Sequence, residues 1–242
     1  MARRFFVENE KIKDDQIIID GQEHIHLSRV LRARVGEMVL VSSVDGIEFQ
    51  CEIAEIKKDK TVVNIISKRQ MPEPQTKITL FQAIIKGERM EWAVEKATEL
   101  GVYQIVPFFS KFTTVKQSEN KQSKLTRVTI EACKQCGRAV PPKVYDVLSF
   151  EKALEFLKEF DQILLAYENE DAPLKEILRS FSPQKSTAIL IGSEGGFDKE
   201  EVEKFVKLCA KPVSLGKNIL RAETAAVALC SAVLYEFDQF KK

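Results

Sequence analysis

Two loops in the second half of the chain concentrate residue types that could do chemistry. The first, Ile191-Gly192-Ser193-Glu194-Gly195-Gly196-Phe197, puts three glycines within five residues. Without Cβ atoms, backbone N–H and C=O groups there can approach a ligand closely. It is not a Walker A loop, because no Gly-Lys-Ser/Thr follows, and its glycine spacing is not GxGxxG. The second, Leu215-Gly216-Lys217-Asn218-Ile219-Leu220-Arg221-Ala222-Glu223-Thr224-Ala225, gathers Arg221, Glu223 and Thr224 where a small-residue helix begins. Taken singly, each is also readable as a tight strand-to-helix turn or a charged helix start. Two such loops in one half of the chain point to a bound small molecule.

The elements that must position these loops fall into two regions. Residues 1–71 read as a small β-barrel. Gln16–Asp20, Met38–Ser42, Ile47–Ile53 and Thr61–Ile66 look like strands, and Glu23–Arg34 is helix-like. Asp45-Gly46 lies between two strand-like runs, as in a short hairpin. Met71-Pro72-Glu73-Pro74-Gln75 is a linker, since two prolines disfavour both helix and ladder. Residues 72–242 alternate strand and helix, the pattern of a parallel α/β sheet covered on both faces. Strands are expected at Ile78–Ile85, Tyr103–Phe109, Gln162–Tyr167, Thr187–Gly192 and Val213–Leu215. Helices are expected at Glu88–Leu100, Lys121–Cys136, Pro173–Arg179, Asp198–Cys209 and Ala222–Phe237. Asp198 with Glu201 three residues on forms a capping-box start. In such sheets ligands bind outside the carboxyl ends of the strands, where both loops lie.

Composition removes other classes. The 242 residues carry a net charge of +1, with 44% hydrophobic and 30% charged residues, as in a soluble globular protein. No apolar run approaches the ~20 residues of a membrane span. No signal-peptide core follows the N-terminus, so a cytoplasmic protein is expected. Five scattered cysteines imply no disulfide framework, and Cys133-x-x-Cys136 has no second pair to complete a zinc site. With His24 and His26 the only histidines, neither a metal centre nor a Ser-His-Asp triad is expected.

The two loops, together with Lys86-Gly-x-Arg-Met-Glu-Trp-x-x-Glu-Lys-Ala-Thr-Glu-Leu-Gly, Glu131-Ala-Cys-Lys-Gln-Cys-Gly-Arg, Arg3-Arg-Phe-Phe and His26-Leu-x-Arg-Val-Leu-Arg, resemble a known family. It is the bacterial 16S rRNA uracil-N3 methyltransferases, members of the SPOUT (trefoil-knot) superfamily. The motifs occur in order along essentially the whole chain. One departure is Ser193, where the family usually has Pro. The resemblance implies a PUA-like N-terminal barrel, a knotted C-terminal α/β domain, a homodimer, and S-adenosylmethionine (AdoMet) as cofactor. Carried onto this chain, the cofactor would be surrounded by Tyr167, Ile191, Gly192, Ser193, Glu194, Gly196, Leu215, Gly216, Ile219, Leu220, Arg221, Thr224 and Ala225. Arg221 is the candidate for stabilising the uracil anion, because prepositioned charge acts best in a dry site. Glu194 is a candidate base or cofactor-positioning group, or equally an exposed loop carboxylate.

The charge of +1 is a cancellation. Residues 111–143 carry +6 and residues 144–210 carry −6. A basic segment beside a methyl-donor site fits phosphate contact, and makes Lys121, Lys124, Arg127, Lys134 and Arg138 candidate RNA contacts. The barrel contributes Arg3, Arg4, His26, Arg29 and Arg32. The expected partner is 16S rRNA within the small ribosomal subunit. Phe5 and Phe6 are readable as base-stacking groups, though buried strand positions suit them better.

Overall fold

A computed structural model describes residues 4–43, 46–72, 74–115, 121–170 and 172–240. The chain forms two compact units. One comprises Met1–Glu73 with Cys133–Pro141, and the other Pro74–Ala132 with Pro142–Lys242.

The first unit is a five-stranded sheet in the order β1-β3-β4-β5-β2. Its strands are β1 (Arg4–Val7), β2 (Gln16–Asp20), β3 (Met38–Ser43), β4 (Ile47–Ile56) and β5 (Lys60–Gln70). The alternating pattern of β4 turns Phe49, Cys51 and Ile53 inward, where they meet Phe5, Ile17, Ile19, Val41 and Val63. Register shifts at Gln50/Cys51 and Ile53/Glu55 mark bulges that curl the sheet into a PUA-like half-barrel. The buried Glu48 braces it, pairing with Arg4 at 2.5 Å and Arg69 at 2.6 Å. Burial pushes the Glu48 carboxyl up, but the bonds from Arg4 and Arg69 prevail and hold it below the usual range.

The helix expected over Glu23–Arg34 is shorter and wider than read. α1 spans Gly21–Ile25 and runs into a π-helical turn, His26–Val30, closed by Leu31 N–H donating to the His26 carbonyl at 2.9 Å. The wide turn seats Leu27 in the core, and Arg32 at φ +48° ends it. The residues Val44 and Asp45 of the expected hairpin lie outside the described residues.

The second unit is a six-stranded, fully parallel sheet in the order β11-β9-β10-β6-β7-β8. Its strands are β6 (Ile78–Ala83), β7 (Gln104–Phe108), β8 (Lys143–Val144), β9 (Gln162–Ala166), β10 (Thr187–Ile191) and β11 (Lys211–Val213). The helices are α2 (Glu88–Leu100), α3 (Lys121–Cys136, whose end belongs to the first unit), α4 (Phe150–Leu157), α5 (Leu174–Ser180), α6 (Lys199–Lys207) and α7 (Ala222–Glu236). Neighbouring residues of each central strand feed opposite faces. Leu80, Ile105, Leu164 and Ile189 pack with Val94 of α2, Leu125 of α3 and Leu229 of α7. Phe81, Val106, Leu165 and Leu190 pack with Leu157 of α4 and Phe205 of α6.

In the second unit β8, α4 and β11 differ from the sequence reading. β8 and α4 were not expected. α4 has apolar residues at 150, 153, 154 and 157, and Ser149 caps it, accepting from Lys152 N–H at 3.3 Å. β11 lies two residues earlier than read, because its ladder partner is Leu164–Ala166 of β9.

Phe205 is fully buried, with ring centroids of Phe150 and Phe197 each 5.3 Å away. Phe205→Ala should cost about 3–5 kcal/mol, read by chemical denaturation; a loss below 1 kcal/mol would show that α6 does not anchor this face.

Candidate functional site

Three strand ends set the site. β10 and β11 flank β9 in parallel, so their following loops emerge at the same edge of the sheet with the end of β9 between them. Tyr167 N–H donates to the Val213 carbonyl at 3.0 Å and ties the β9 and β11 ends together. The glycine loop leaves β10 and folds back on itself. Gly196 N–H donates to the Ser193 carbonyl at 3.0 Å, and a Cβ on Gly192 would lie 2.8 Å from the Gly196 carbonyl carbon. Only glycine fits position 192 without moving backbone. From β6, the buried Gln82 amide donates to the Gly192 carbonyl at 3.3 Å.

Glu194 is tied rather than free. Its Oε1 accepts from Lys86 N–H at 2.9 Å and from the Arg89 guanidinium at 2.8 Å. Burial pushes its carboxyl up, but the Lys86 and Glu194 backbone N–H groups and the Arg89 and Lys86 charges prevail, holding it below the usual range. At neutral pH it is an ionised acceptor and a weak base, which suits positioning better than proton removal.

The second loop leaves β11. Ser214 Oγ accepts from Gly216 N–H at 3.3 Å, and Gly216 sits at φ +119°, a conformation that favours glycine. Leu215 and Leu220 pack on the same core cluster as Ile191, Ala222 and Ala225. Ile219 is 85% exposed. Residues 217–220 make no hydrogen bond among the described residues. Arg221 caps α7 with extended backbone, and its side chain is exposed, as is Thr224.

These residues fit the cofactor that the resemblance implies. Leu215, Ile219 and Leu220 offer apolar walls, and the backbone between them has unused donors and acceptors for a purine edge. Three buried acceptors close to the loops, Gln82 Oε1, Ser193 Oγ and Glu223 Oε2, have no partner among the described residues. Buried polar atoms of this kind call for a ligand or water. Glu223 also lies in the first turn of α7, where a carboxylate is favoured by the helix dipole.

The expected RNA contacts are not one bare stripe. Arg3 lies outside the described residues. Arg4 is held by Glu48 and by Ser42 Oγ at 2.7 Å, so it braces the barrel instead. His26 stands edge-on to the Phe5 ring, with centroids 6.3 Å apart, and Phe5 and Phe6 are buried. Arg29 and Arg32 are exposed. On α3, Lys124 pairs with Glu91 at 2.6 Å, Lys134 pairs with Glu23, and Arg127 is exposed. Burial and the neighbouring Lys124 lower the pKa of half-buried Lys121, and burial lowers that of Arg138. Among the described residues no cluster of three or more His, Cys, Asp or Glu is arranged to hold a metal ion.

The sequence reading did not assign Gln82, Lys86, Arg89, Lys111 or Phe112 to the site. Lys86 and Arg89 follow β6, and Lys111 and Phe112 follow β7, all at carboxyl ends of the sheet. The strand-end rule was available to find them; Lys86 and Arg89 lay in a motif that carried the resemblance but received no role, and the types of Gln82, Lys111 and Phe112 raised no signal.

Comparison with known proteins agrees with this arrangement. Residues 71–234 match the RNA methyltransferase domain family, and residues 19–66 match the RNA methyltransferase PUA domain. The ribosomal RNA small subunit methyltransferase E of Bacillus subtilis is 31% identical, over 98% of this chain and 97% of its own length. Its counterpart from Rickettsia conorii is 32% identical, over 95% of this chain and 94% of its own. A putative methyltransferase from Legionella pneumophila, solved with bound SAM, is 30% identical, with a TM-score of 0.84 over 97% of this chain and 98% of its own. A ribosomal RNA small subunit methyltransferase E from Neisseria gonorrhoeae, bound to S-adenosyl methionine, is 26% identical, with a TM-score of 0.85 over 97% and 98%. With matching domains in the same order and full-length relatives, the chain belongs to the ribosomal RNA small subunit methyltransferase E family.

Proposed function

We propose that the protein transfers a methyl group from S-adenosylmethionine to N3 of a uridine in 16S rRNA of the small ribosomal subunit. It would act as a homodimer in the cytoplasm. The observation that carries the reading is the full-length similarity to small-subunit methyltransferases, with the glycine loop and the Arg221-Ala-Glu-Thr loop at the ends of the two strands that flank β9. On this reading Leu215–Leu220 belongs to the trefoil knot that the family resemblance implies.

When bound, the cofactor supplies an electrophilic methyl on a sulfonium. Leu215, Ile219 and Leu220 then exclude water around the purine, and Gly192, Ser193 and Gly216 present backbone groups. Ile191, Gly196 and Ala225 keep the loops close to the core, and Tyr167 borders the shelf from β9. Glu223 Oε2 and Ser193 Oγ accept hydrogen bonds from the ligand's donors. Arg221, exposed at the start of α7 with Thr224, donates to the uracil oxygen that gains charge as N3 gives its proton to solvent water. Glu194 holds the glycine loop against Lys86 and Arg89. Arg29 and Arg32 of the first unit contact phosphates, as do Arg127, Lys121 and Lys124 of α3 in the second.

The direct test is incubation with AdoMet and small subunits lacking the modification, followed by mass mapping of the RNA. One methyl on uridine N3 is expected, and Arg221→Ala should lose turnover while keeping AdoMet affinity. A methyl on another atom, or undiminished turnover in Arg221→Ala, would overturn the respective assignment.

Glu194 makes a separate prediction. Because its pKa is lowered, its brace holds above the ordinary carboxylate range and is lost as pH falls through the lowered value. AdoMet affinity should therefore be flat from neutral pH down to the ordinary carboxylate range and fall only below it. Glu194→Gln should weaken AdoMet about fivefold at neutral pH, as for loss of a part-exposed charged pair, and remove the acid limb. A large fall in turnover with unchanged AdoMet affinity would instead make Glu194 the base.

A further inference from the structure

The loops after β6, β7 and β10 enclose an open cleft of about 800 Å³ within the second unit. A volume of that order holds a small ligand or a nucleotide. Its walls have two features beyond the brace that Lys86 N–H and Arg89 give Glu194.

The first is an aromatic face. Phe112 is 41% exposed at the cleft. Its position is held from both sides. Lys111 N–H donates to Glu201 Oε1 at 2.8 Å, and Lys111 Nζ pairs with Asp198 at 3.1 Å. On the other side, Thr113 Oγ1 accepts from Ser110 N–H at 3.0 Å. Gly195 makes room for the ring, since a Cβ there would lie 2.9 Å from Phe112 Cβ. An exposed aromatic ring on a pinned loop is preorganised for stacking and loses little freedom when it binds.

The second is a set of cations. Lys86, Arg89 and Lys111 all line the cleft. The Lys86 side chain is exposed and has no ion pair among the described residues. Arg89 spends one terminal nitrogen on Glu194, leaving the rest of its donor fork. Stacking faces combined with cations that track a backbone are how single-stranded nucleic acid is bound.

We propose that this cleft receives an unpaired pyrimidine nucleotide of RNA, with the base stacked on Phe112 and a flanking phosphate held by Lys86 and Arg89. The inference rests on the methyltransferase reading and names the seat of its substrate. Glu194 and Gly195 line the cleft and belong to the glycine loop, so the two ligands meet across one short loop. Thr114, exposed at the same wall, is placed to hydrogen-bond the edge of the base.

The test is fluorescence anisotropy with a labelled uridine pentanucleotide, without cofactor, beside calorimetry with AdoMet on the same proteins. Phe112→Ala should weaken the pentanucleotide about tenfold or more, the usual cost of one lost stack, and leave AdoMet affinity unchanged. Phe112→Tyr, which keeps a ring, should restore binding. Lys86→Gln should lower the salt slope of binding by about one. Equal pentanucleotide affinity in wild type and Phe112→Ala would overturn the proposal, as would loss of AdoMet affinity in Phe112→Ala. Failure of the wild type to bind AdoMet while the pentanucleotide results hold would overturn the methyltransferase reading alone.

Discussion

The parallel pairing of β9 with β10 on one side and β11 on the other is the constraint on which the rest depends. Parallel strands end on the same side of a sheet, so three loops distant in sequence are forced into one row. The glycine loop, the Tyr167 turn and the Gly216–Arg221 loop occupy that row. Slipping β11 by two residues, to where its sequence alone suggested, would separate Tyr167 from Val213 and break the row. The buried Leu164, Leu165, Ile189 and Leu190, alternating between two cores, hold the register, since a one-residue slip would send each to the wrong face.

Carboxylates then fasten the loops. Glu201 completes the capping box of α6 by accepting from Asp198 N–H at 2.9 Å, and with its other oxygen holds Lys111 N–H at 2.8 Å. Glu194 does the same for the β6–α2 loop through Lys86 and Arg89. Both carboxyl groups accept backbone N–H bonds, and bonds of a carboxylate to backbone N–H are among the stronger ones a protein makes. Loops held in this way keep their shape without regular structure, as a site needs if it is to bind without reorganising. The half-barrel uses a related device, in which buried Glu48 holds Arg4 and Arg69 across its strands.

Much of this was legible in the sequence, and what was missed has physical reasons. The carboxyl ends of α2 and α3 were readable because Gly101 and Gly137 follow strongly periodic runs, and the capping box because Asp198 and Glu201 are its characteristic pair. α4 carried the same kind of signal in Ser149 and the apolar 150/153/154/157 spacing, but is only eight residues long. The π-turn was not legible, since widening a turn to bury Leu27 is decided by the core beneath it. In the site, glycines and an isolated Arg-Ala-Glu-Thr cluster stand out by type. Lys86, Arg89 and Phe112 do not, and gain meaning only once the sheet order sets their loops beside Gly195. Charge counting found the basic segment but not its pairing. Lys124 with Glu91 and Lys134 with Glu23 join groups 33 and 111 residues apart, which no count by segment reveals.

The claim that one row of strand-end loops forms the cofactor shelf is tested most directly by hydrogen exchange with and without AdoMet. Slowed exchange should be confined to residues 167–170, 191–197 and 214–225, with the half-barrel unchanged. Protection elsewhere in the sheet, or none in the Gly216–Arg221 loop, would contradict it.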